Sequence, residues 1–241
     1  MNVLCCGRMK EGKTTLAIYL AQQWSPGVII WDPRHMIGDN FLEESNKATF
    51  VYTGDELEDA IDDKKWLEGP IIFRPDALRL EQDFQELAHV LFDPPEKYAE
   101  SGFAIVIDEA AQLQHPQSIL PELDVIVRQH PRSVLVVQCT HSLQDWHRAS
   151  KDLMSTLYCF RQVGRSLHMV VEYCDGDEEM EEVIKSLPRH WCMMYNFEAA
   201  ANEVQWSVLD EPELWYSPAT EGIHQQDANG NSSREESTRT A

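Results

Sequence analysis

The sequence contains few basic residues for its size. Lysine and arginine together number 20 against 41 aspartates and glutamates, so the formal net charge is −21 over 241 residues. An average field of this sign repels free nucleic acid. Two interpretations stay open. Either the protein does not handle nucleic acid, or its contacts with DNA are confined to a local basic lining assembled from several subunits.

Long apolar runs and paired cysteine motifs are also missing. The apolar runs have strand length, far below the roughly 18–20 residues of a membrane span, so we expect no transmembrane segment. The first motif begins at residue 7, which leaves no room for a signal peptide, and a cytoplasmic protein is predicted. None of the six cysteines has C-x-x-C spacing, which favours buried free thiols over a metal site.

A phosphate-binding loop (Walker A motif) stands near the N-terminus. Residues 7–14 read GRMKEGKT, a match to G-x-x-x-x-G-K-[ST] between an apolar run and an apolar-periodic stretch. Backbone N–H groups and a helix N-terminus would face the phosphates of ATP. Lys13 would reach the β- and γ-phosphates, and Thr14 would ligate Mg²⁺. The predicted nucleotide-binding residues are Gly7, Arg8, Met9, Lys10, Glu11, Gly12, Lys13, Thr14 and Thr15; a glycine-rich turn without ligand is the alternative.

Two later apolar runs end in polar side chains. Residues 103–107 lead into Asp108 and Glu109, and residues 133–137 lead into Gln138. In a phosphate-loop fold the first acid holds Mg²⁺ and the second polarises the attacking water. An amide at the end of the other strand can contact the γ-phosphate. The alternatives are a solvated loop for the acids and a loop-bonded amide for Gln138.

Two arginines and one histidine lie close to the second of these strands. Arg128 ends the preceding helical pattern, and the nearby Arg132 is the alternative candidate for the same role. Either could be an arginine finger supplied to an adjacent subunit, which stabilises charge in phosphoryl transfer, or an ordinary surface arginine. His141 follows the strand, and it is either an ordinary loop histidine or a contact to nucleotide or DNA.

The order of patterns predicts an α/β fold with a mainly parallel central sheet flanked by helices. Apolar, β-branched runs alternate with helical patterns from the N-terminus to about residue 190. Residues 156–163 and 166–173 are interpreted as a hairpin, and residues 191–197 with 204–209 as a C-terminal β-hairpin. The domain is predicted to span residues 1–216, followed by a disordered polar tail over 217–241.

Taken in order, these motifs resemble the HerA–FtsK superfamily of DNA-pumping ATPases. The phosphate loop, the strand with Asp108 and Glu109, and Arg128 before the strand with Gln138 follow one another as in that superfamily. The small size resembles the genome-packaging ATPases of icosahedral viruses with an internal membrane. The resemblance covers roughly residues 1–210. The loop departs from it by carrying Arg8, Lys10 and Glu11 where small residues are commoner.

The resemblance implies a RecA-like P-loop NTPase core that assembles into a homo-oligomeric, hexameric ring around double-stranded DNA. Lys13, Thr14, Asp108, Glu109 and Gln138 match the catalytic and metal positions, and Arg128 best matches the arginine given to the neighbour. The implied function is ATP-driven packaging of viral DNA into a preformed capsid, in the host cytoplasm or at a capsid vertex with capsid proteins as partners. A nucleotide-dependent regulatory or assembly ATPase without DNA contact is the alternative, and a phosphate-loop kinase is a third option that Glu109 disfavours.

Overall fold

Strands and helices alternate along the chain as the apolar patterns predict. The computed structural model describes residues 1–38, 48–92, 102–130, 133–200 and 205–209. The predicted tail over 217–241, the end of the predicted domain over 210–216, and Arg132 lie outside the described residues. Within the described residues, no helix combines the length and the apolar character that a bilayer crossing requires.

The strands and helices have the following bounds. The strands are β1 (Asn2–Cys6), β2 (Val28–Trp31), β3 (Thr49–Val51), β4 (Ile71–Phe73), β5 (Ala104–Ile107), β6 (Gln114–His115), β7 (Ser118–Ile119), β8 (Leu135–Thr140), β9 (Thr156–Phe160), β10 (Cys192–Asn196) and β11 (Trp206–Leu209). The helices are α1 (Lys13–Trp24), α2 (Gly54–Asp62), α3 (Leu80–Phe92), α4 (Pro121–Gln129), α5 (Arg148–Lys151), α6 (Gly164–Tyr173) and α7 (Glu178–Ser186).

Nine of the described strands form one sheet with the order β11-β10-β9-β1-β8-β5-β2-β4-β3. The seven strands from β9 to β3 run parallel to one another. The last two, β10 and β11, add an antiparallel hairpin at one edge. The predicted α/β class, the mainly parallel sheet and the C-terminal hairpin are therefore confirmed.

The strand order places β8 between the two strands that carry the predicted site. β8 pairs with β1, which leads into the phosphate loop, and with β5, which leads into Asp108. Parallel strands end at the same edge of a sheet, and ligands bind at that carboxyl edge in open α/β sheets. The segment after β8 therefore lies next to both the loop and the acids.

Side chains of the central strands are buried on both faces of the sheet, as expected for parallel strands. One face packs against α1, with Val3, Val106 and Val137 among the buried residues. The other face packs against helices that include α3 and α6, and Leu4 and Ile107 lie on it. All six cysteines are buried free thiols, which confirms that prediction.

The hairpin predicted over residues 156–173 is wrong in its second half. Residues 164–173 form α6, whose buried residues are Leu167 and Val170. Cys174, which follows, is also buried. Spacings of three and four residues place these side chains on one face of a helix. The β-branched pair Val170-Val171 suggests a strand, but packing of one helical face against the sheet decides the structure.

Candidate nucleotide-binding site

The two motif glycines occupy positions that a side chain would not fit. The loop joins the end of β1 to the start of α1. A Cβ atom on Gly7 would lie 2.6 Å from the Cβ of Phe160, closer than any ordinary contact. Gly12, the residue before α1, has φ of 106°, a left-handed conformation in which glycine is favoured. The backbone is therefore shaped as the motif requires, with the N-terminus of α1 facing the phosphate position.

Two arginines from the C-terminal half of the protein contact the loop. Glu11, only 5% exposed, accepts a hydrogen bond of 3.0 Å from Nη2 of Arg161. Arg189 donates through Nε and Nη2 to the carbonyl of Lys10 at 3.4 Å. Glu11 stands where small residues are commoner in this motif. Its ion pair with Arg161 explains why an acidic residue fits there. Arg8 and Met9 are exposed at the tip of the loop.

The motif lysine and threonine each make the contacts expected of a phosphate site. Lys13 donates through Nζ to the carbonyl of Arg8 at 2.9 Å, so its side chain folds back onto the loop. Thr14 donates through Oγ1 to Oδ1 of Asp108 at 3.0 Å. The first turn of α1 is thereby joined to the end of β5, and the residues predicted as nucleotide and metal ligands lie together.

Asp108 and Thr14 provide oxygen atoms suited to a divalent cation. Burial and, to a smaller extent, the neighbouring charge of Glu109 raise the pKa of Asp108 to about 6, against the lowering effects of the Thr14 hydrogen bond and the Lys13 charge. A buried carboxylate with this shift gains from a nearby cation, which favours its charged form. Mg²⁺ prefers oxygen ligands and is bound by few carboxylates together with phosphate and water. These two residues therefore fit the predicted metal.

Glu109 is held by two basic side chains. Its backbone has φ of 50°, a left-handed conformation that is uncommon for a residue other than glycine. Its Oε1 lies 3.3 Å from Nη1 of Arg34 and 2.9 Å from Nε2 of His141. Burial alone would raise the pKa of this carboxyl, but the contact with His141 and the charges of Arg34 and Lys13 outweigh it and lower the pKa. The carboxylate is therefore kept ionised, as an acid that polarises water must be.

Gln138 does not occupy the strand end where the sequence analysis placed it. β8 continues to Thr140, so Gln138 lies inside the strand and is fully buried. Its register partners are Leu4 and Ile107, which lie on the face of the sheet opposite α1. Asp108, the residue after Ile107, lies on the α1 side of the sheet, where Thr14 donates a hydrogen bond to it. The contact of Gln138 with the γ-phosphate stays a prediction. The side chain after β8 that contacts Lys13 is that of His141.

Replacing Gln138 by methionine is expected to stabilise the protein. Neither the amide oxygen nor the amide nitrogen has a hydrogen-bond partner among the described residues. A buried unsatisfied polar group costs about 1–3 kcal/mol, so Gln138→Met should raise the free energy of unfolding by that order. Thermal unfolding should show Tm raised by about 2–4 °C per kcal/mol. The exposed Gln23→Met is the control, and a lower Tm for the Gln138 variant would contradict the prediction.

The same variant tests the predicted role of the amide. A sensor amide predicts that Gln138→Met abolishes ATP hydrolysis while the fold is kept. A purely structural amide predicts that hydrolysis is retained.

Arg128 lies on the surface of α4, apart from the cluster around Lys13. Its side chain is 43% exposed, and its Nε donates to Oδ1 of Asp124 at 2.6 Å within the same helix. No described contact joins it to the phosphate loop of its own chain. This placement fits a side chain that acts on another subunit, and equally fits a surface arginine.

Three arginines that contact the site were not found from the sequence. Arg34 follows the end of β2, Arg161 follows β9, and Arg189 precedes β10. The first two could have been predicted, because the carboxyl ends of parallel strands share one edge of the sheet. Arg189 belongs to the segment before the antiparallel hairpin, and nothing in the local sequence indicates its position.

The fold is that of P-loop nucleoside triphosphatases, with one strand between the strand of the loop and the strand of the acids. Neither a comparison with models of protein families nor one with curated proteins gives a match. The fold is similar to solved structures. The genome packaging NTPase B204 of Sulfolobus turreted icosahedral virus 2, in complex with ATP-gammaS, is 17% identical with a TM-score of 0.64, covering 86% of this chain and 96% of that one.

Two further structures share the fold. B204, the DNA-packaging ATPase of Sulfolobus turreted icosahedral virus, is 15% identical with a TM-score of 0.57, over 87% of this chain and 96% of that one. VirB4 of Thermoanaerobacter pseudethanolicus is 12% identical with a TM-score of 0.58, over 88% of this chain and 90% of that one. The resemblance to viral genome-packaging ATPases predicted from the sequence is thereby confirmed for the fold.

Proposed function

We propose that the protein is an ATP-driven translocase that packages viral double-stranded DNA into a preformed capsid. The observation that carries the proposal is the convergence of Lys13, Thr14, Asp108 and Glu109 at one edge of the sheet. Similarity of the fold to that of packaging ATPases supports the finer assignment. The action would take place in the host cytoplasm or at a capsid vertex.

The residues of the site have separate tasks in hydrolysis. The loop backbone and Lys13 bind the phosphates of ATP, and Thr14 and Asp108 would hold Mg²⁺ through their oxygens. The metal would neutralise charge on the phosphate oxygens. Glu109 orients the attacking water with its ionised carboxylate. Arg128 of an adjacent subunit completes the charge stabilisation, with Arg132 as the alternative.

The motor proposal requires a ring of identical subunits, which we propose to be a hexamer. A ring would place each Arg128 beside the site of the next subunit, and it would enclose DNA in a central pore. The charge of −21 means that the pore needs a locally basic lining to overcome the average repulsion. Capsid proteins at the vertex are the further partners that packaging requires.

One specific observation favours a second function. The strongly acidic composition suits a nucleotide-dependent regulatory or assembly ATPase that never contacts DNA. Such a protein would use the same site for hydrolysis and would respond to protein partners instead. The two functions therefore share the chemistry and differ in whether DNA changes its rate.

The deciding experiment measures ATP hydrolysis by the purified, oligomeric protein with Mg²⁺, in the presence and absence of linear double-stranded DNA. We expect DNA to increase the rate, and the increase to shrink as salt rises, because contacts with phosphate are screened by counterions. Heparin serves as a polyanion control, and Lys13→Ala as the variant without nucleotide binding.

Each outcome distinguishes the proposals. Stimulation by DNA but not by heparin supports the motor. Hydrolysis that is indifferent to DNA in a verified oligomer contradicts the motor and supports the assembly ATPase. An absence of hydrolysis under both conditions contradicts both functions.

A further inference from the structure

His141 stands between the lysine of the phosphate loop and the acid that orients water. Its Nδ1 lies 3.2 Å from Nζ of Lys13, and its Nε2 lies 2.9 Å from Oε1 of Glu109. These two partners come from the start of α1 and the turn after β5. The imidazole therefore connects the two halves of the site from the strand between them.

The chemistry of the two partners assigns the protons of the ring. The Lys13 ammonium can only donate hydrogen bonds, so Nδ1 of His141 must accept. The Glu109 carboxylate only accepts, so Nε2, which lies 2.9 Å from it, is the nitrogen that carries the ring hydrogen; the contact is electrostatic, because the N–H is not aligned as a hydrogen bond requires. Both conditions are met by the neutral tautomer with its proton on Nε2. The ring then has a fixed direction, with the lysine on its accepting side and the acid on its donating side.

The backbone around His141 is also held. The buried Gln162 donates through Nε2 to the carbonyl of His141 at 3.1 Å. Thr140, at the end of β8, donates through Oγ1 to the carbonyl of Ser142 at 3.0 Å. Because contacts on both sides fix this turn, the imidazole extends from a rigid support.

We propose that His141 is a positioning residue that holds the carboxylate of Glu109 and links its position to that of Lys13; this inference rests on the ATPase function proposed above. His141 and Arg34 both contact Oε1 of Glu109, so the carboxylate is held at one oxygen, and Oε2 is the oxygen we expect to meet water. Phosphates of ATP would draw Lys13 away from the ring. The ring would then keep only its contact with Glu109.

The inference is tested with variants of the full-length oligomer, by steady-state hydrolysis and ATP binding. His141→Ala should lower kcat about tenfold, a part of the roughly 10²–10⁴ that a positioned base contributes. KM for ATP should change by less than about threefold, because the lost interaction acts on the base and not on the nucleotide. His168→Ala removes an exposed imidazole that lies beside Glu181, and it should leave both constants unchanged.

Conservative variants separate the two contacts of the ring. The amide nitrogen of His141→Gln can replace Nε2 as a donor to Glu109, so this variant should recover part of kcat. The shorter amide of His141→Asn replaces Nδ1 and should not. Recovery by asparagine but not by glutamine would overturn the proposal, since the contact with Lys13 would then be the one that matters.

A double-mutant cycle with Glu109→Gln gives the decisive result. A residue that acts through Glu109 has no further effect once that carboxylate is gone, so His141→Ala should not lower the residual kcat of Glu109→Gln. An equal loss in both backgrounds would overturn the proposal. The wild-type rate is measured first: absence of hydrolysis there contradicts the proposed function, whereas an active wild type with an unaffected His141→Ala contradicts only this inference.

Discussion

Replacing Glu109 by glutamine is expected to lower kcat for ATP hydrolysis by at least about 100-fold, within the roughly 10²–10⁴ range of a positioned general base. The amide keeps the shape of the side chain, and its oxygen can still meet Arg34 and His141. It carries no negative charge with which to polarise water. The proposed ligands for the phosphates, Lys13 and the loop backbone, are unchanged. Binding of ATP should therefore survive while hydrolysis is lost.

The measurement combines phosphate release with direct binding of ATP at equilibrium. Glu68→Gln is the matched control, because Glu68 is an exposed glutamate whose carboxylate pairs with Lys65. It should hydrolyse ATP at the wild-type rate. A Glu109→Gln variant that keeps more than about a tenth of kcat would contradict the role of Glu109. A variant that no longer binds ATP would instead indicate a structural role for the carboxylate.

Replacing Arg128 by alanine is expected to lower kcat by about 10³-fold or more, the effect that arginine fingers have in related chemistry. The stability of the subunit should change little, because the exposed ion pair with Asp124 is worth at most about 1 kcal/mol. Arg79→Ala is the control for activity, since Arg79 is also an exposed helical arginine, in ion pairs with Asp83, four residues away, and with Glu86. Arg132→Ala, measured in parallel, decides between the two arginines.

Mixing of subunits tests whether the arginine acts on a neighbour. Arg128→Ala subunits keep Glu109, and Glu109→Gln subunits keep Arg128. Each site takes its acid from one subunit and its arginine from the next. When equal amounts of the two variants are mixed in one ring, about a quarter of the sites combine an intact acid with an intact arginine. Hydrolysis should return to about that fraction of the wild-type rate. Recovery with Arg132→Ala subunits instead would move the role to Arg132, and no recovery with either would contradict action between subunits.

The sequence was sufficient to predict that the phosphate loop and the two acids lie together, because their spacing along the chain is fixed by backbone geometry. The close approach at Gly7 and the positive φ at Gly12 both favour glycine, and acids at the end of an apolar strand reach the same edge of the sheet. The sheet and its C-terminal hairpin followed from apolar runs of strand length. These predictions depend on local patterns, and the structure confirms the arrangement of the fold.

What the sequence could not supply depends on contacts between distant segments. The end of β8 was placed at Gln138 because the apolar run stops there, yet strand pairing with β1 continues to Thr140. That extension by two residues places Gln138 in the interior and brings His141 to Lys13. The contact between Arg34 and Glu109 likewise depends on the order of strands in the sheet, which periodicity does not specify.

The contacts of Arg161 and Arg189 with the phosphate loop have a consequence for how the protein is made. Glu11 meets a partner 150 residues further along the chain, and Lys10 meets one 179 residues further along. Phe160, against which Gly7 packs, is just as distant. The loop emerges early from a ribosome but lacks these supports until most of the chain has followed, and such long-range contacts form slowly. On the proposed function, a nascent chain would therefore complete the contacts around its ATP site only late in synthesis.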